Sequence, residues 1–129
     1  MAKKTIYMLA LMLMPLFAAA QNSIDHMVDE LSTIGGAKFT SVVQRNPKTR
    51  AIEKVVKKLE IGGINSKKLI NAFKSETKRN KTTTTTYSDG EVTTIITTSN
   101  PKTNRIYMIK YEDEQYYPDV SVTIIIKVK

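Results

Sequence analysis

The 129-residue sequence contains no cysteine, no tryptophan and a single histidine, and each absence excludes a kind of site. Without cysteine, the chain forms no disulfide, thiolate metal site, cysteine nucleophile or cysteine-linked lipid anchor. One histidine cannot supply the histidine pairs that many metal and catalytic sites use. Nucleophile-elbow, phosphate-loop, dinucleotide and calcium-loop motifs are also missing. We therefore expect no catalytic residue, no metal and no cofactor, and a protein that is not an enzyme.

The histidine and the longest acidic run both lack the geometry of a site. His26 follows Asp25 directly, and neighbouring helix residues point about 100° apart, so the two cannot orient each other. The run Glu112, Asp113 and Glu114 could bind a metal only if three successive side chains converged, whereas strand residues alternate sides. We interpret His26 as an ordinary helix residue and the run as part of a solvated loop over residues 112–118.

The first twenty residues have the pattern of a cleaved export signal. Two lysines precede an apolar run over residues 6–17, and three alanines follow, ending at Ala20. Signal peptidase requires such small residues, so we predict cleavage between Ala20 and Gln21. A membrane anchor is the alternative, but the run is short for a span. We expect residues 21–129 to form a single domain that is periplasmic or secreted and carries no transmembrane span.

The mature chain has the periodicities of two helices and six strands. We predict helices over residues 23–33 and 65–79. We predict strands over residues 37–45, 50–61, 81–87, 91–98, 105–112 and 119–129. The last strand is the most apolar, so we place it centrally in the sheet. The order α-β-β-α-β-β-β-β predicts an α+β domain, in which an antiparallel sheet of five to six strands carries both helices on one face.

Residues 50–61 fit a helix almost as well as a strand, and a short repeat decides between them. The tetrapeptide Asn-Pro-Lys-Thr occurs at residues 46–49 and again at residues 100–103, each time between β-rich flanks. Asn and Pro at the first two positions favour a tight turn. Because the second copy precedes a clear strand, we predict two hairpins of shared geometry and a strand at residues 50–61.

Five consecutive threonines at residues 82–86 indicate either an edge strand or a disordered linker. Threonine is β-branched and favours strands, and the following Ser88-Asp89-Gly90 is typical of a hairpin turn. We predict a solvated edge strand. Such an edge could pair with a partner, or with a second copy of this chain in a homo-oligomer.

Four tyrosines near the end of the chain are candidate contacts for a partner: Tyr107, Tyr111, Tyr116 and Tyr117. Tyr107 and Tyr111 share one face of a strand. We favour packing of both against the helices, and stacking on a sugar or peptide at the open sheet face is the alternative. Tyr116 and Tyr117 lie in the loop before the last strand, where exposed contacts are common.

Basic residues are concentrated between residues 38 and 81, where thirteen lysines and arginines face three acids. Such a segment attracts polyanions, and the alternative is that its lysines only solvate the surface. Nucleic acid is disfavoured by the export signal and by the lack of interleaved aromatic residues. The candidate polyanion contacts are Lys54, Lys57, Lys58, Lys67, Lys68 and Lys74.

The sequence combines the alanine-rich signal end, the Asn-Pro-Lys-Thr-Arg turn at residues 46–50 and a Lys-Leu-Ile-Asn-Ala-Phe helix face at residues 68–73. In this combination it resembles the small secreted or periplasmic proteins of unknown function from gut Bacteroidetes. The resemblance implies an envelope location and an α+β fold. It implies no activity and assigns no functional residue.

Three functions compete at this point. We favour a module that binds a protein, peptide or glycan through a sheet face or a strand edge. A polyanion-binding envelope protein is the second hypothesis. A hydrolase that uses carboxylates alone is the third, and a pocket holding two of its candidate acids would favour it. Those acids are Glu53, Glu60, Glu91 and Glu112.

Overall fold

The computed structural model describes residues 22–79 and 82–129, so the predicted signal and its junction at Ala20 and Gln21 lie outside the described residues. The helices are α1 (Ser23–Leu31) and α2 (Ile64–Thr77). The strands are β1 (Lys38–Arg45), β2 (Ile52–Ile61), β3 (Thr83–Ser88), β4 (Glu91–Ser99), β5 (Thr103–Glu112) and β6 (Val120–Val128). The predicted order of elements is confirmed, and the ambiguous segment after the first turn is a strand.

All six strands form one antiparallel sheet in the order β1-β2-β6-β5-β4-β3. Strand β6 lies between β2 and β5, so the prediction of a central position for the most apolar strand is confirmed. The two edges are β1 and β3. The helices cover one face and leave the other open, which is the predicted α+β arrangement.

The core lies between the helices and the covered face of the sheet. On β6, Val120, Val122, Ile124 and Ile126 alternate inwards and are at most 2% exposed. Apolar side chains of β2 and β5 flank them in register, and the helices contribute Ile24, Val28, Leu31, Leu69 and Phe73. Full burial of one such side chain stabilises the fold by roughly 1.5–3 kcal/mol, so this layer positions every surface described below.

Helix α1 begins with a reciprocal cap. The side chain of Asn22 accepts hydrogen bonds from the backbone N–H groups of Ile24 and Asp25, at 2.9 and 3.2 Å. The Asp25 carboxylate in turn accepts one from the Asn22 backbone at 3.0 Å. The three bonds satisfy donors that the first helical turn leaves open. The predicted start of the helix is therefore confirmed, and its end comes two residues early, at Leu31.

The two Asn-Pro-Lys-Thr turns share a cap but close differently. Oδ1 of Asn46 accepts from the N–H groups of Lys48 and Thr49, and Oδ1 of Asn100 accepts from those of Lys102 and Thr103, all within 2.8–3.0 Å. However, the Asn46 N–H donates to the carbonyl of Ala51, whereas the Asn100 N–H donates to that of Thr103. The predicted hairpins are confirmed, and their loops differ in length.

The first turn holds Arg50 in the left-handed region, with φ at +65°. Its N–H donates to the carbonyl of Asn46 at 2.9 Å, and its own carbonyl accepts from Nη1 of Arg45 at 3.0 Å. Left-handed backbone costs a non-glycine residue roughly 1–2 kcal/mol. The longer loop therefore includes a strained arginine that the shorter one does not have.

The hairpin between β3 and β4 turns on two residues in the left-handed region, Asp89 and Gly90, with φ at 51° and 78°. This pair gives the two-residue turn whose twist matches that of the flanking strands. Strand β3 is exposed along its length and pairs only with β4 in the sheet order. The predicted solvated edge strand is thus confirmed over Thr83–Ser88.

Within the described ranges, no helix has both the length and the apolar character needed to span a membrane.

Candidate functional site

Tyr107 lies in the core and is 0% exposed, which is the packing that we favoured for it. Its hydroxyl donates a hydrogen bond of 2.7 Å to Oδ2 of Asp25, and Nη1 of Arg105 lies 3.2 Å from Oδ1 of the same carboxylate. Burial, together with the charge of Asp25, raises the pKa of Tyr107 above its usual value. Tyr107 therefore fixes α1 on β5 and offers no surface to a partner.

Tyr111 and Tyr116 line a pocket beside α2, and Tyr117 packs edge-on against Tyr116. Tyr116 and Tyr117 are 72% and 45% exposed, and Tyr111 is partly buried against the core. Nζ of Lys67 lies 3.3 Å from the ring centroid of Tyr116, in a cation–π contact. The pocket, of about 370 Å³, is also lined by Lys74, Asn71 and Asp113. Here the structure brings together members of both candidate contact sets.

The six candidate lysines do not form one surface. Lys54 and Lys58 lie on the open face of β2, while Lys57 points to the helix side, opposite the buried Ile124. Nζ of Lys57 is 3.5 Å from Asp29, and Nζ of Lys58 is 3.4 Å from Glu60. The remaining three, Lys67, Lys68 and Lys74, lie on α2. A single polyanion therefore cannot contact all six at once.

A polar cleft of about 530 Å³ lies at the end of the sheet opposite the two Asn-Pro-Lys-Thr turns. Glu60, Glu91 and Glu112 line it, and Glu91 stands directly opposite Glu112 on neighbouring strands. Three of the four candidate acids thus share one cleft, together with Lys38 and Lys110.

The three glutamates of the cleft lie in a different environment from that of a typical catalytic acid. All three side chains are exposed, whereas a catalytic general acid is usually a carboxyl group held in an apolar environment. Glu53 lies near the start of β2, at the other end of the sheet, and is outside the cleft. Throughout residues 22–79 and 82–129, no three His, Asp or Glu side chains are grouped so as to hold a metal ion.

The open face of the sheet carries a row of apolar side chains that the sequence analysis missed. The register aligns Val42, Val56, Ile125 and Ile106 across four strands. Val42 is 64% exposed and the others are partly buried. Alternation of apolar and polar residues is weak where both faces of a strand carry apolar residues. The sequence pattern therefore predicted the apolar residues of the covered face and not this row.

The two sheet edges differ in how they are protected against pairing. Strand β1 carries Lys38 and Arg45, and its register shifts next to Arg45. Charges and irregular register are common protections of an edge strand. Strand β3 reads Thr-Thr-Thr-Thr-Tyr-Ser, contains no charge or proline and keeps an uninterrupted register with β4. Strand β3 is therefore the edge suited to pairing with another strand.

The register also shows which backbone groups of β3 point away from the sheet. Ser88 and Glu91 close the two-residue turn, and the Thr97 N–H donates to the carbonyl of Thr82 at 3.1 Å. Residues alternate along an antiparallel ladder, so even-numbered residues of β3 direct their N–H and C=O groups towards β4. Thr85 and Tyr87 direct theirs outwards.

One family model matches residues 21–125, with the description Domain of unknown function (DUF5024). The chain belongs to this family. No curated protein and no solved structure matches it. The DUF5024 match begins one residue before the described part of the chain and ends within β6, so it includes the edge strand, the tyrosine pocket and the cleft.

On the DUF5024 domain, Tyr87 extends the aromatic surface to the edge of the sheet. Tyr87 is 72% exposed and stands opposite Val92, which in turn stands opposite Tyr111. Tyr87 is not among the four tyrosines that the sequence pattern indicates as candidate contacts. The available signal was its position as the single aromatic residue that follows five threonines.

Proposed function

We propose that the protein is a non-enzymatic binding module that pairs an extended polypeptide segment with strand β3. The observation that carries this proposal is the exposed, uncharged and uninterrupted edge of β3. Addition of a strand to such an edge is a common mode of peptide recognition, in which backbone hydrogen bonds provide much of the affinity. Thr85 and Tyr87 each offer one outward N–H and one outward C=O group.

Tyr87 should favour particular side chains in the segment that pairs with this edge. It lies on the helix side of β3 and begins a row that continues through Val92 to Tyr111. A paired strand would place every second side chain on that side, next to Tyr87. Cross-strand pairs of aromatic and β-branched residues contribute roughly 0.2–1 kcal/mol each. The preferred segment therefore carries an aromatic or β-branched residue opposite Tyr87.

The export signal predicted at residues 1–20 supports a periplasmic or secreted location for this pairing, as does the resemblance to small secreted proteins of gut Bacteroidetes. The partner is then an envelope or extracellular protein. A second copy of this chain is the other segment that β3 could accept, since the edge carries no charge that would repel its own copy.

A proline at residue 85 tests the proposal. Proline is tolerated at edge positions whose N–H faces solvent, so Thr85→Pro should remove one outward donor and leave the pairing with β4 intact. Thr85→Ala is the matched control, because both variants lose the contact between the hydroxyls of Thr85 and Thr94. Peptides selected from a random library on the purified chain should bind the alanine variant and not the proline variant.

Two results would reject strand pairing at β3. The first is equal binding of the selected peptides to both variants, and the second is a selection that enriches no peptide. Sedimentation of the purified chain tests the pairing of two copies: a dimer that Thr85→Pro dissociates would identify the second copy as the segment bound.

A carboxylate hydrolase is a second candidate, favoured by the opposed Glu91 and Glu112 in the cleft. Directly opposed strand residues have Cβ atoms about 5 Å apart, and retaining glycosidases hold their two carboxyl groups about 5 Å apart. A screen of glycoside substrates tests this candidate. Activity that is lost in both Glu91→Gln and Glu112→Gln would support it, and a wild-type chain without activity would reject it.

A further inference from the structure

Both Asn-Pro-Lys-Thr turns lie at the same end of the sheet. The pairing of β2 with β6 places the start of β2 beside the end of β6, and the pairing of β6 with β5 places the start of β5 on its other side. The end of β6 therefore lies between the two turns. Since neighbouring strands are 4.7–4.9 Å apart, the turns are roughly 14 Å from each other.

Arg45 and six further basic side chains lie at this end, and we call the six the basic end: Lys48, Arg50, Lys54, Lys102, Lys127 and Lys129. Five of them are exposed and Lys54 is partly exposed. Lys54 and Lys127 stand directly opposite each other on neighbouring strands, an arrangement of like charges that destabilises a sheet. None of the six forms an ion pair with a carboxylate of the described residues.

Glu53, near the start of β2, is a partly buried acid at this end, and several other acids lie further away. Glu60, Glu91, Glu112 and Asp119 line the cleft at the opposite end of the sheet. Asp25 and Glu76 are on the turn side of the helices but are buried, at 2% and 4% exposure. Acids therefore predominate at one end of the sheet, beside Lys38 and Lys110, and exposed cations predominate at the other end, beside Glu53.

The backbone holds the basic end in place. The N–H groups of Lys48 and Lys102 each donate to an asparagine cap at 2.8 Å. The N–H of Lys129 donates to the carbonyl of Lys102 at 3.0 Å, which joins the end of β6 to the second turn. Arg50 remains in its left-handed conformation despite the cost of that backbone. A backbone fixed in this way loses less conformational entropy when a ligand binds.

We propose that the basic end binds an anionic polysaccharide, a linear sugar chain that carries sulfate, phosphate or carboxylate groups. The cations run as a row across the strand ends, which suits a linear polymer with repeated charges. Residues 46–54, 100–105 and 127–129, which form this end, include no aromatic side chain on which a nucleic-acid base would stack. These residues also include no large exposed apolar side chain that would enter a lipid surface. This site is separate from the β3 edge and does not depend on the function proposed for that edge.

Heparin, a sulfated polysaccharide, is the probe for the test. We compare the purified chain with Lys48→Glu/Lys102→Glu, which changes one lysine in each turn, and with Lys68→Glu/Lys74→Glu on α2. The two double variants carry the same net charge, and all four side chains are exposed. Thermal unfolding of each variant shows whether the fold is retained.

The turn variant should leave heparin at a clearly lower salt concentration than the wild type, while the α2 variant should leave close to the wild type. Loss of about two ionic contacts should also reduce the slope of log Kd against log salt by about two. Equal losses in the two variants, or a wild-type chain that is not retained, would overturn the proposal. Tighter binding to anionic phospholipid vesicles or to single-stranded DNA than to heparin would overturn the choice of polysaccharide.

Discussion

The hydroxyl group of Tyr107 lies 2.7 Å from Oδ2 of Asp25, and this bond joins strand β5 to helix α1. The same carboxylate accepts from Nη1 of Arg105 at 3.2 Å and from the backbone of Asn22 at 3.0 Å. The buried carboxylate of Asp25 therefore accepts hydrogen bonds from a tyrosine of the sheet, from the buried arginine and from the helix cap. The position of α1 over the core depends on a polar contact as well as on apolar packing.

Asp25→Asn should be strongly destabilising, because it removes the negative charge of Asp25 from a buried ion pair with Arg105. Removal of one partner of a buried ion pair typically costs about 3–5 kcal/mol. Asp29→Asn is the control, since its ion pair with Lys57 is partly exposed and such pairs contribute about 1 kcal/mol or less. Urea denaturation gives both free energies of unfolding, and equal losses would show that the buried pair has no special role.

The raised pKa of Tyr107 predicts a loss of stability in base. Tyrosines of the unfolded chain ionise near pH 10, whereas the folded protein keeps the proton on Tyr107 to higher pH. Unfolding then releases a proton, so the contribution of Tyr107 is complete below about pH 10 and falls above it, by up to about 1.4 kcal/mol per pH unit. The free energy of unfolding, measured by urea titration at several pH values, should decline less steeply in Tyr107→Phe. Tyr116→Phe, at an exposed position, should decline like the wild type.

Arg50→Gly should stabilise the fold, because glycine adopts the left-handed conformation without strain. The expected gain is about 1 kcal/mol, reduced by the greater entropy of glycine in the unfolded chain. Arg50→Lys keeps the strained backbone and should leave the midpoint of thermal unfolding unchanged. A lower midpoint for the glycine variant would show that the arginine side chain contributes more to stability than the strain costs.

Proline at two adjacent positions of β3 should reduce the stability by different amounts. Thr84 directs its N–H towards β4, so Thr84→Pro should remove a ladder hydrogen bond and destabilise the hairpin by roughly 1–3 kcal/mol. Thr85→Pro removes an outward N–H and should cost less. Chemical denaturation of the two variants measures the difference, and a larger cost at residue 85 would mean that the backbone alternation assigned to β3 is wrong.

Much of the fold was predictable because local chemistry and periodicity agree. Asp89 and Gly90 specify a two-residue hairpin, the alternating valines and isoleucines of β6 require a buried strand, and Asn22 caps α1. The strand β2 was decided by the repeated tetrapeptide, because Val55, Val56 and Leu59 suit a helix as well as a strand. The different closure of the two turns was not predictable, since the identical four residues act in different sheet registers.

The candidate sites were less predictable, because they depend on pairings between distant residues. Arginine is rarely buried, so the sequence gives no sign that Arg105 reaches Asp25 across eighty residues. The cleft and the basic end exist only because the sheet order places the ends of β2, β5 and β6 side by side. The candidate lysines were chosen by sequence proximity, and neighbouring residues on β2 point to opposite faces.

Strand β6 follows every other strand in the sequence and yet lies third in the sheet. During translation, the β1–β2 hairpin and the β3–β4–β5 meander are therefore made before the strand that joins them. Until residues 120–128 leave the ribosome, each part has an open edge where β6 will lie, and the apolar layer under the helices stays incomplete. The nascent chain should consequently remain unfolded, and accessible to proteases and chaperones, until its final strand has been synthesised.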